Sequence, residues 1–570
     1  MRVLFIVSAF NGLSQRAWCA LRGAGHDITV EFAIDDNTMI AGAHLADPDI
    51  IICPYLKDRV PEAVWRRWPT IIIHPGPVGD RGPSSLDWAI TNAEPVWGVT
   101  ALQAVADMDA GPIWATRTFP MPDEPPRKSS LYNGPVADAA IACIFEVLDK
   151  AADSRFVPTP LEQARRTVPG TGLRPLMRQA DRAFGWDEPG AHILRRIRAA
   201  DSTPGVRTTI AGRDIYVYDA ELVMTRRERP GTILGHNDDD AVLIATGDAT
   251  GLWIGQARAI PEQPDTGIKL PAADVLGPAA FASTRRIGGS RRIQYIRHST
   301  DVGELNFDIY NGAFSPTRSR RLAAALRKAL ARHTRALILS GSSDVYSNGI
   351  DLNHIHAAND PAQAAWASIR AINAICRTLA ADTSQITIAA ITGNAGAGGA
   401  MVPLSADHVV TRQGVVINPY YNIGLTGSEL HTLVLPDRVG AVAARRLLTD
   451  RMPVGVEYAL GVGLVDRNGP AASTPFAEWV VEAAHVVVAS QWPSVVEAKQ
   501  NRAPRRAAEL AYAEAVELGE MARDIFDDRQ RFSERRHAFV AKHRPTATPL
   551  HLALHRQSGR FPARGQATAA

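Results

Sequence analysis

The stretch from Ile71 to Ile90 reads IIIHPGPVGDRGPSSLDWAI. Its three β-branched residues predict a buried strand that ends at His74. The glycines and prolines that follow stop regular structure, and apolar residues after Ser84 or Ser85 predict the start of a helix. Ligands of open α/β sheets bind in the crevice beyond the carboxyl ends of the strands. The stretch therefore predicts a functional site at His74, although a histidine in this place can also be purely structural.

A second loop offers a carboxylate to this histidine. It lies between the Trp-Gly-Val-Thr of residues 97–100 and Ile113, and it contains Asp109 two residues before Gly111. A carboxylate beside an imidazole orients the ring and stabilises its charged form. We therefore expect His74 and Asp109 to act together as catalytic residues.

The two loops resemble those of the formyltransferases that use 10-formyl-tetrahydrofolate. The family's strand ends in Asn-x-His-Pro before an Arg-Gly loop and a Trp-Ala pair, and its second block reads Gly-Val-Thr and then Asp, Gly and Ile. The matching residues are His74, Pro75, Arg81, Gly82, Trp88, Ala89, Gly98, Val99, Thr100, Asp109, Gly111 and Ile113. The resemblance implies that Arg81, Gly82 and Asp109 bind folate.

One position departs from this family. Its asparagine, which donates a hydrogen bond to the formyl oxygen, falls at Ile72, and isoleucine has no side-chain donor. Losing such a donor typically costs about a hundred- to a thousandfold in rate. Either a backbone N–H group replaces it, or the formyl acceptor and the geometry of the site differ.

Length and composition indicate a multidomain cytoplasmic protein. The 570 residues predict roughly three to four domains, and the net charge of +3 predicts no nucleic-acid partner. The 4 cysteines contain no C-x-x-C pair, which predicts neither a zinc site nor a disulfide framework, so we expect no metal and a reducing compartment. The N-terminus lacks the pattern of a signal peptide, and no apolar run reaches the length of a membrane span, so we expect no membrane contact.

Alternating strands and helices predict a parallel sheet in the first part of the chain. We assign residues 1–155 to a formyltransferase-like catalytic domain. The opening strand is not followed by G-x-G-x-x-G, which argues against a nicotinamide cofactor. Short strands separated by turns predict a small β-barrel subdomain over residues 175–260, and a linker is expected over residues 261–289.

The pattern changes after residue 290. The segments LILSGSSDVYSNGIDL (residues 337–352) and ITIAAITGNAGAGGAMVPLSADHVV (residues 386–410) resemble the enoyl-CoA hydratase/isomerase, or crotonase, family. The resemblance implies a crotonase fold over residues 290–470. Residues 471–550 are predicted to be helical, and residues 551–570 are predicted to form a disordered tail.

The crotonase resemblance implies an oxyanion hole made by the backbone N–H groups of Ile350 and Gly398. Two such donors can converge on one thioester oxygen. Glycine around residue 398 lets the backbone approach a ligand closely. Alternatively, these glycines only permit close packing of a helix on a strand.

The two glutamates of the family's hydratases are both replaced. They fall at Met401 and Tyr420, so we predict that the protein is not a hydratase. Tyr420 and Glu429 lie close to the expected thioester site and are the predicted catalytic acid and base. Alternatively, the tyrosine only packs and Glu429 is a solvated surface charge.

The fusion of the two modules resembles the HypX family of hydrogenase maturation factors, including its HPGxxGDRG variant at His74. The resemblance implies transfer of formyl from 10-formyl-tetrahydrofolate to coenzyme A, followed by decarbonylation of formyl-CoA to carbon monoxide and coenzyme A. The carbon monoxide would become a ligand of the iron in NiFe hydrogenase, with transient contact to the hydrogenase large subunit or its maturation complex. Two alternatives remain: an amine formyltransferase with a non-catalytic crotonase scaffold, and a non-catalytic hydrogenase assembly factor.

Overall fold

The computed structural model describes residues 1–260, 267–282, 284–557 and 561. The chain forms two compact units. The first unit comprises Met1–Ile260, Pro271–Ile287 and Arg544–Ala570, and the second comprises Pro261–Leu270 and Gly288–His543. The predicted α/β multidomain fold class is confirmed.

The first unit opens with a six-stranded sheet of order β2-β1-β3-β4-β5-β6. Its strands are β1 (Arg2–Val7), β2 (Asp27–Phe32), β3 (Ile50–Cys53), β4 (Thr70–His74), β5 (Val96–Gln103) and β6 (Ile113–Pro120). Strands β1 to β4 are parallel as predicted, whereas β5 and β6 run antiparallel to their neighbours. Apolar periodicity reports which side chains are buried and not the direction of a strand, so the sequence pattern did not reveal this change.

Six helices accompany this sheet. They are α1 (Gly12–Gly23), α2 (Asp36–Ala46), α3 (Glu62–Trp65), α4 (Ser85–Thr91), α5 (Lys128–Leu131) and α6 (Ala137–Ala152). The start of α4 confirms the helix predicted after Ser84 or Ser85. The segment Lys128–Ala152 is long and apolar enough to cross a membrane by composition alone. Residues of α6 such as Ile144 and Val147 are fully buried and α6 packs on β5 and β6, which is typical of a core helix.

The end of the chain returns to the edge strand β2. The backbone N–H of Val30 donates to the carbonyl of Leu552 at 3.0 Å. The buried carboxylate of Glu31 pairs with His555 at 2.8 Å and with Arg556 at 2.7 Å. The predicted disordered tail over residues 551–570 is therefore wrong for residues 551–557, because they cover an edge that would otherwise leave unpaired backbone groups. Residues 558–560 and 562–570 lie outside the described residues.

The predicted barrel subdomain is a sheet with strand order β13-β9-β10-β11-β8-β7. Helices α8 and α9 pack against it. Its elements are α7 (Gln179–Arg182), α8 (Gly190–Ala199), β7 (Val206–Ile210), β8 (Arg213–Met224), β9 (Ile233–His236), β10 (Val242–Ala245), β11 (Thr250–Ala259), β12 (Lys269–Pro271), α9 (Ala272–Leu276) and β13 (Arg285–Arg286).

The predicted linker over residues 261–289 is wrong for residues 271–282 and 284–287. Helix α9 buries Ala272 and Leu276 in the core of this subdomain, and β13 pairs with β9. These residues are thus part of the first unit. Of the rest of the predicted linker, residues 261–266 lie outside the described residues.

The second unit has the architecture implied by the crotonase resemblance. A six-stranded sheet of order β14-β15-β17-β20-β22-β25 lies beside a four-stranded sheet of order β18-β21-β23-β24 and the pair β16-β19. The strands are β14 (Ile293–Arg297), β15 (Val302–Phe307), β16 (Ala313–Phe314), β17 (Ala336–Ser340), β18 (Val345–Ser347), β19 (Gly349–Ile350), β20 (Ile386–Ile391), β21 (Asn394–Gly396), β22 (His408–Arg412), β23 (Val416–Asn418), β24 (Val454–Gly455) and β25 (Arg467–Gly469). Strand β20 is buried along its whole length, as expected of a central parallel strand.

The helices of the second unit range in length from 4 to 54 residues. They are α10 (Pro316–Leu330), α11 (Leu352–Ala357), α12 (Pro361–Ala381), α13 (Gly398–Met401), α14 (His431–Asp450), α15 (Val456–Gly461), α16 (Ser473–Phe526) and α17 (Phe532–Val540). The first part of α16 buries Phe476 and Val480 against the six-stranded sheet, and its second part reaches the loop before α14. One helix thereby connects the core of this unit to the segment that carries Glu429.

Candidate functional sites

His74 is the last residue of β4 and is only 5% exposed. The loop that follows is anchored to the sheet by side chains from other elements. Trp97 Nε1 and Ser85 Oγ both donate to the carbonyl of Pro75, and Thr100 Oγ1 donates to the carbonyl of Gly76 at 2.8 Å. The ring of His74 is therefore held on a rigid support.

Asp80 is the hydrogen-bonding partner of this ring. Its Oδ2 lies 2.9 Å from His74 Nε2, and the residue is 3% exposed. A Cβ atom on Gly76 would lie 2.3 Å from Asp80 Oδ2 and 2.6 Å from His74 Nε2, so only glycine at residue 76 leaves room for the pair. The sequence analysis did not identify Asp80; the signal available to it was an aspartate within the glycine-rich loop, six residues after the histidine.

Asp109 faces the other nitrogen of the ring. Its Oδ1 lies 3.6 Å from His74 Nδ1, which is longer than a hydrogen bond. The backbone N–H of Gly82 donates to Asp109 Oδ2 at 3.1 Å, and Asp109 has a left-handed φ of +54°. The structure thus brings the two predicted catalytic residues together across a gap of less than 4 Å.

Arg81 and Gly82 hold the loop that carries Asp109. The Arg81 guanidinium donates to the carbonyl of Met108 through Nε at 3.2 Å and through Nη2 at 3.0 Å. Gly82 has a φ of +117°, and a Cβ atom there would lie 2.2 Å from the carbonyl oxygen of Arg174. Direct contact of Arg81 or Gly82 with folate stays a prediction.

The two carboxylates change the protonation of His74. Burial lowers the pKa of an imidazole, but the hydrogen bond that the ring donates to Asp80 and the charges of Asp109 and Asp80 outweigh burial, so the pKa of His74 is raised above its usual value. The charged form of the ring is therefore more stable than in a free imidazole.

A cavity of about 320 Å³ lies beside Asp109. Ile72, Leu102 and Trp65 form apolar walls, and residues 104–109 complete the lining together with charged side chains such as Asp58. The volume is at the lower end of the range for small-molecule sites. Carboxylates and main-chain groups among apolar walls suit the amino and amide groups of a pterin ring, so the residues present fit a folate.

The predicted oxyanion hole lies in the second unit. Helix α13 begins at Gly398, and the first N–H groups of a helix have no acceptor within it. Gly349 has a φ of +77°, and a Cβ atom there would lie 3.2 Å from Gly398 N. The backbone at Gly349 and Ile350 therefore runs directly against the start of α13, and the two predicted donors lie on adjoining segments.

Glu429 is buried at the same place. It is 3% exposed, and a Cβ atom on Gly398 would lie 2.5 Å from Glu429 Oε1. Burial raises the pKa of Glu429; the hydrogen bond from Tyr421 opposes this shift and the charge of Glu517 adds to it. The alternative of a solvated surface charge is therefore wrong. A buried acid with a raised proton affinity is typical of general acid–base chemistry.

Tyr421, and not Tyr420, contacts this carboxylate. The Tyr421 hydroxyl donates to Glu429 Oε2 at 2.8 Å. The Tyr420 hydroxyl donates to Asn418 Oδ1 at 3.3 Å. Asn418 is the strand partner of Gly396 in the glycine-rich turn. The tyrosine hydroxyl bonded to Glu429 is thus that of Tyr421, and a catalytic role of Tyr420 stays a prediction.

Two further acids of the second unit were missed by the sequence analysis. Glu517 and Asp524 of α16 hydrogen-bond to the loop that carries Glu429, although about 90 residues separate them along the chain. No sequence signal separates them from the other acids of this charged helix.

Met401, by contrast, is fully buried in the apolar core and exchanges no protons. Within the described parts of the chain, no group of three or more His, Cys, Asp or Glu residues is placed to hold a metal ion.

Comparisons with known proteins cover both units. The family model "Formyl transferase, C-terminal domain" matches residues 176–266, and the model "Enoyl-CoA hydratase/isomerase" matches residues 303–548. The hydrogenase maturation factor HoxX of Bradyrhizobium diazoefficiens is 35% identical over 562 residues, which cover 98% of this chain and 97% of that protein. The methionyl-tRNA formyltransferase of Roseiflexus castenholzii is 34% identical over 211 residues, which cover 37% of this chain and 63% of that protein.

A solved structure is similar over the same extent. The crystal structure of HypX from Aquifex aeolicus in complex with tetrahydrofolic acid has a TM-score of 0.92 to this chain at 34% sequence identity. The match covers 98% of this chain and 99% of that chain. The similarity therefore includes the segments around His74 and around Glu429.

Proposed function

The chain belongs to the family of the hydrogenase maturation factors HoxX and HypX, and from this premise we propose that it makes carbon monoxide for hydrogenase maturation in two steps. The first unit transfers formyl from 10-formyl-tetrahydrofolate to the thiol of coenzyme A. The second unit splits formyl-CoA into carbon monoxide and coenzyme A. We place the protein in the cytoplasm, with transient contact to the hydrogenase large subunit or its maturation complex.

The first step uses His74 and Asp109. The thiol sulfur attacks the formyl carbon and loses its proton, the bond from carbon to the folate nitrogen breaks, and that nitrogen gains a proton. His74 Nδ1 and Asp109 Oδ1 lie 3.6 Å apart, so an imidazole with raised proton affinity and a carboxylate can face the same formyl group. A donor stabilises negative charge on the formyl oxygen, and a carboxylate moves the proton.

The second step uses Glu429 and a tyrosine. Glu429 takes the proton from the formyl carbon, the carbon–sulfur bond breaks with its electron pair on sulfur, and the thiolate gains a proton. Tyr421 is hydrogen-bonded to Glu429 and can pass the proton onward. The backbone donors at Ile350 and Gly398 hold the thioester oxygen, as the crotonase resemblance implies.

One observation carries the proposal for the second unit. Glu429 is buried directly against Gly398 although it has a left-handed φ of +65°. Left-handed backbone in a non-glycine residue costs about 1–2 kcal/mol, and strain of this kind is concentrated at functional sites. A scaffold without catalytic function has no need of a strained, buried acid at this place.

The test measures both products from the purified full-length protein. Tetrahydrofolate release is followed after addition of 10-formyl-tetrahydrofolate and coenzyme A, and carbon monoxide is captured by ferrous haem. Glu429→Gln should lower carbon monoxide formation at least about a hundredfold while tetrahydrofolate release continues. The matched control is Glu457→Gln, which changes an exposed glutamate of the same unit and should leave both products unchanged.

A His74→Ala variant separates the two steps. It should not release tetrahydrofolate, yet it should form carbon monoxide when formyl-CoA is supplied directly. Release that requires an amine instead of coenzyme A would favour an amine formyltransferase. If the wild-type protein makes no carbon monoxide from formyl-CoA, the proposal for the second unit is wrong and a scaffold or assembly role replaces it.

A further inference from the structure

The loop that presents Glu429 is anchored by one face of α16. Three side chains spaced as neighbours on a helix, Glu517, Met521 and Asp524, all contact it. Their partners are the N–H groups of Leu430 (2.8 Å) and Thr432 (2.7 Å) for Glu517, of Gly427 (3.1 Å) for Met521 Sδ, and of Thr426 (2.6 Å) for Asp524. Helix α16 therefore supplies the acceptors that the backbone of this loop needs.

The loop is strained where it turns into α14. Glu429 and Leu430 are consecutive non-glycine residues with φ values of +65° and +59°. The N–H of Glu429 donates to Asn373 Oδ1 at 2.9 Å, and the N–H of Leu430 donates to Glu517 Oε2. Such a conformation persists only where surrounding contacts hold it. Asn373 and Glu517 are the two side chains that hold these two N–H groups.

Glu517 also caps α14. Leu430, the residue before that helix, has no side chain that can accept a hydrogen bond. The carboxylate of Glu517 provides the missing cap, because it accepts hydrogen bonds from the N–H of Thr432 and from its hydroxyl, the latter at 2.6 Å. Glu517 is 1% exposed. Removing it leaves buried N–H groups without acceptors, which is costly.

The surroundings of Glu517 contain little positive charge. Among the residues that the structure describes, its one ion-pair partner is His431, whose Nδ1 lies 3.3 Å away and whose pKa is lowered by burial. The titratable groups that face this cluster are Tyr421, Glu429 and His431 near the start of α14, Cys376 of α12 and Glu514 of α16. A carboxylate charge at Glu517 therefore acts on Glu429 with little compensation.

We propose that Glu517 is a positioning residue for Glu429: it holds the strained turn that places Glu429 against Gly398, and its charge strengthens Glu429 as the base that takes the formyl proton. The inference rests on the proposed decarbonylation. Burial raises the pKa of Glu517 itself to about 7, and the charge of Glu517 contributes to the raised pKa of Glu429. The two carboxyl groups thus lose their protons in coupled steps.

Three variants separate position from charge. Glu517→Gln removes the charge. Glu517→Asp keeps the charge, but the shorter side chain moves the carboxylate away from the backbone N–H groups. Asp524→Asn is the matched control. Asp524 holds the same loop from the same helix, but it is not among the main causes of the pKa shift of Glu429. Carbon monoxide formation from formyl-CoA is measured across pH for each full-length variant.

The expected results differ among the variants. Glu517→Gln should move the acid limb of the rate profile to lower pH by about one unit, which corresponds to about 1.4 kcal/mol. Glu517→Asp and Asp524→Asn should lower the rate without moving that limb. An unmoved limb in Glu517→Gln overturns the role of the charge, and an unchanged rate in Glu517→Asp overturns the positioning role.

Infrared spectroscopy tests the inference without turnover. The carboxyl C=O band that Glu429→Gln removes identifies protonated Glu429, and its disappearance with rising pH reports the titration of that residue. In Glu517→Gln the band should disappear at lower pH than in the wild type. If the band disappears at the same pH in both proteins, the inference is overturned even if carbon monoxide is made. If the band disappears at lower pH in Glu517→Gln but the wild type makes no carbon monoxide, only the proposed decarbonylation is overturned. If Glu517→Gln does not fold, the carbon monoxide rate of Glu517→Asp decides, and an unchanged rate in that folded variant overturns the inference.

Discussion

Gly427 gives the sharpest test of the geometry around Glu429. It has a φ of +107°, and a Cβ atom there would lie 2.1 Å from Tyr421 Cε2 and 2.4 Å from Tyr421 Cζ. Gly427→Ala therefore forces the ring away from its hydrogen bond to Glu429. The same change at Gly519 is the matched control, since Gly519 lies inside α16 with nothing within 4 Å of its added Cβ atom.

The two substitutions should have effects of opposite sign. A Cβ atom in left-handed backbone costs about 1–2 kcal/mol, and overpacking against a rigid ring costs typically about 1–3 kcal/mol. Gly427→Ala should thus lower the free energy of unfolding by about 2–5 kcal/mol. Gly519→Ala should raise it by roughly 0.5–1 kcal/mol, because alanine loses less backbone entropy than glycine in a helix.

Urea denaturation of the full-length protein, followed by circular dichroism, measures these differences. Hydrogen–deuterium exchange of peptides around Tyr421 shows where the structure loosens. Carbon monoxide formation should fall in Gly427→Ala while tetrahydrofolate release, which belongs to the first unit, continues. If both alanine variants are as stable as the wild type within about 0.5 kcal/mol, the close approach of Gly427 to Tyr421 is wrong, and so is the placement of Glu429 derived from it.

Three further predictions concern the chemistry of the two sites. Asp109→Asn should lower tetrahydrofolate release about a thousandfold, because the substitution removes the carboxylate that moves the proton; stopped assays on the folded variant measure this, and near-wild-type release would remove Asp109 from the mechanism. The protein should not hydrate crotonyl-CoA, since the crotonase resemblance assigns Met401 and Tyr420 to the two acid positions of hydratases; loss of the enoyl absorbance in clean protein would contradict this. The wild type should be more stable than Asp80→Asn mainly at acid pH: the pKa of His74 is raised in the folded state, so its contribution is complete below the usual value of about 6.5 and is lost as pH rises through the raised pKa. Urea midpoints of both proteins between pH 5 and 9 test this, and a difference that grows with pH would contradict it.

The sequence by itself determined the local framework of both sites. The apolar run before His74 and the glycines after it predicted a strand end and a loop, and Gly398 with its neighbours predicted a turn into a helix. Both predictions depend on the burial of nearby residues and on backbone conformations that few residue types adopt. These properties are encoded within a few residues of the site.

Only the tertiary structure decided which side chains are partners. It placed Asp80 on one nitrogen of His74 and Tyr421 on Glu429, where the choice between neighbouring residues depends on the exact course of a loop. It also brought Glu517 to Leu430, across 87 residues of chain. Residues 551–557, predicted to be disordered, are ordered because they dock on a strand more than 500 residues away. The physical reason is the same in each case: sequence patterns report local conformation and burial, whereas hydrogen-bonding partners are set by where distant segments pack.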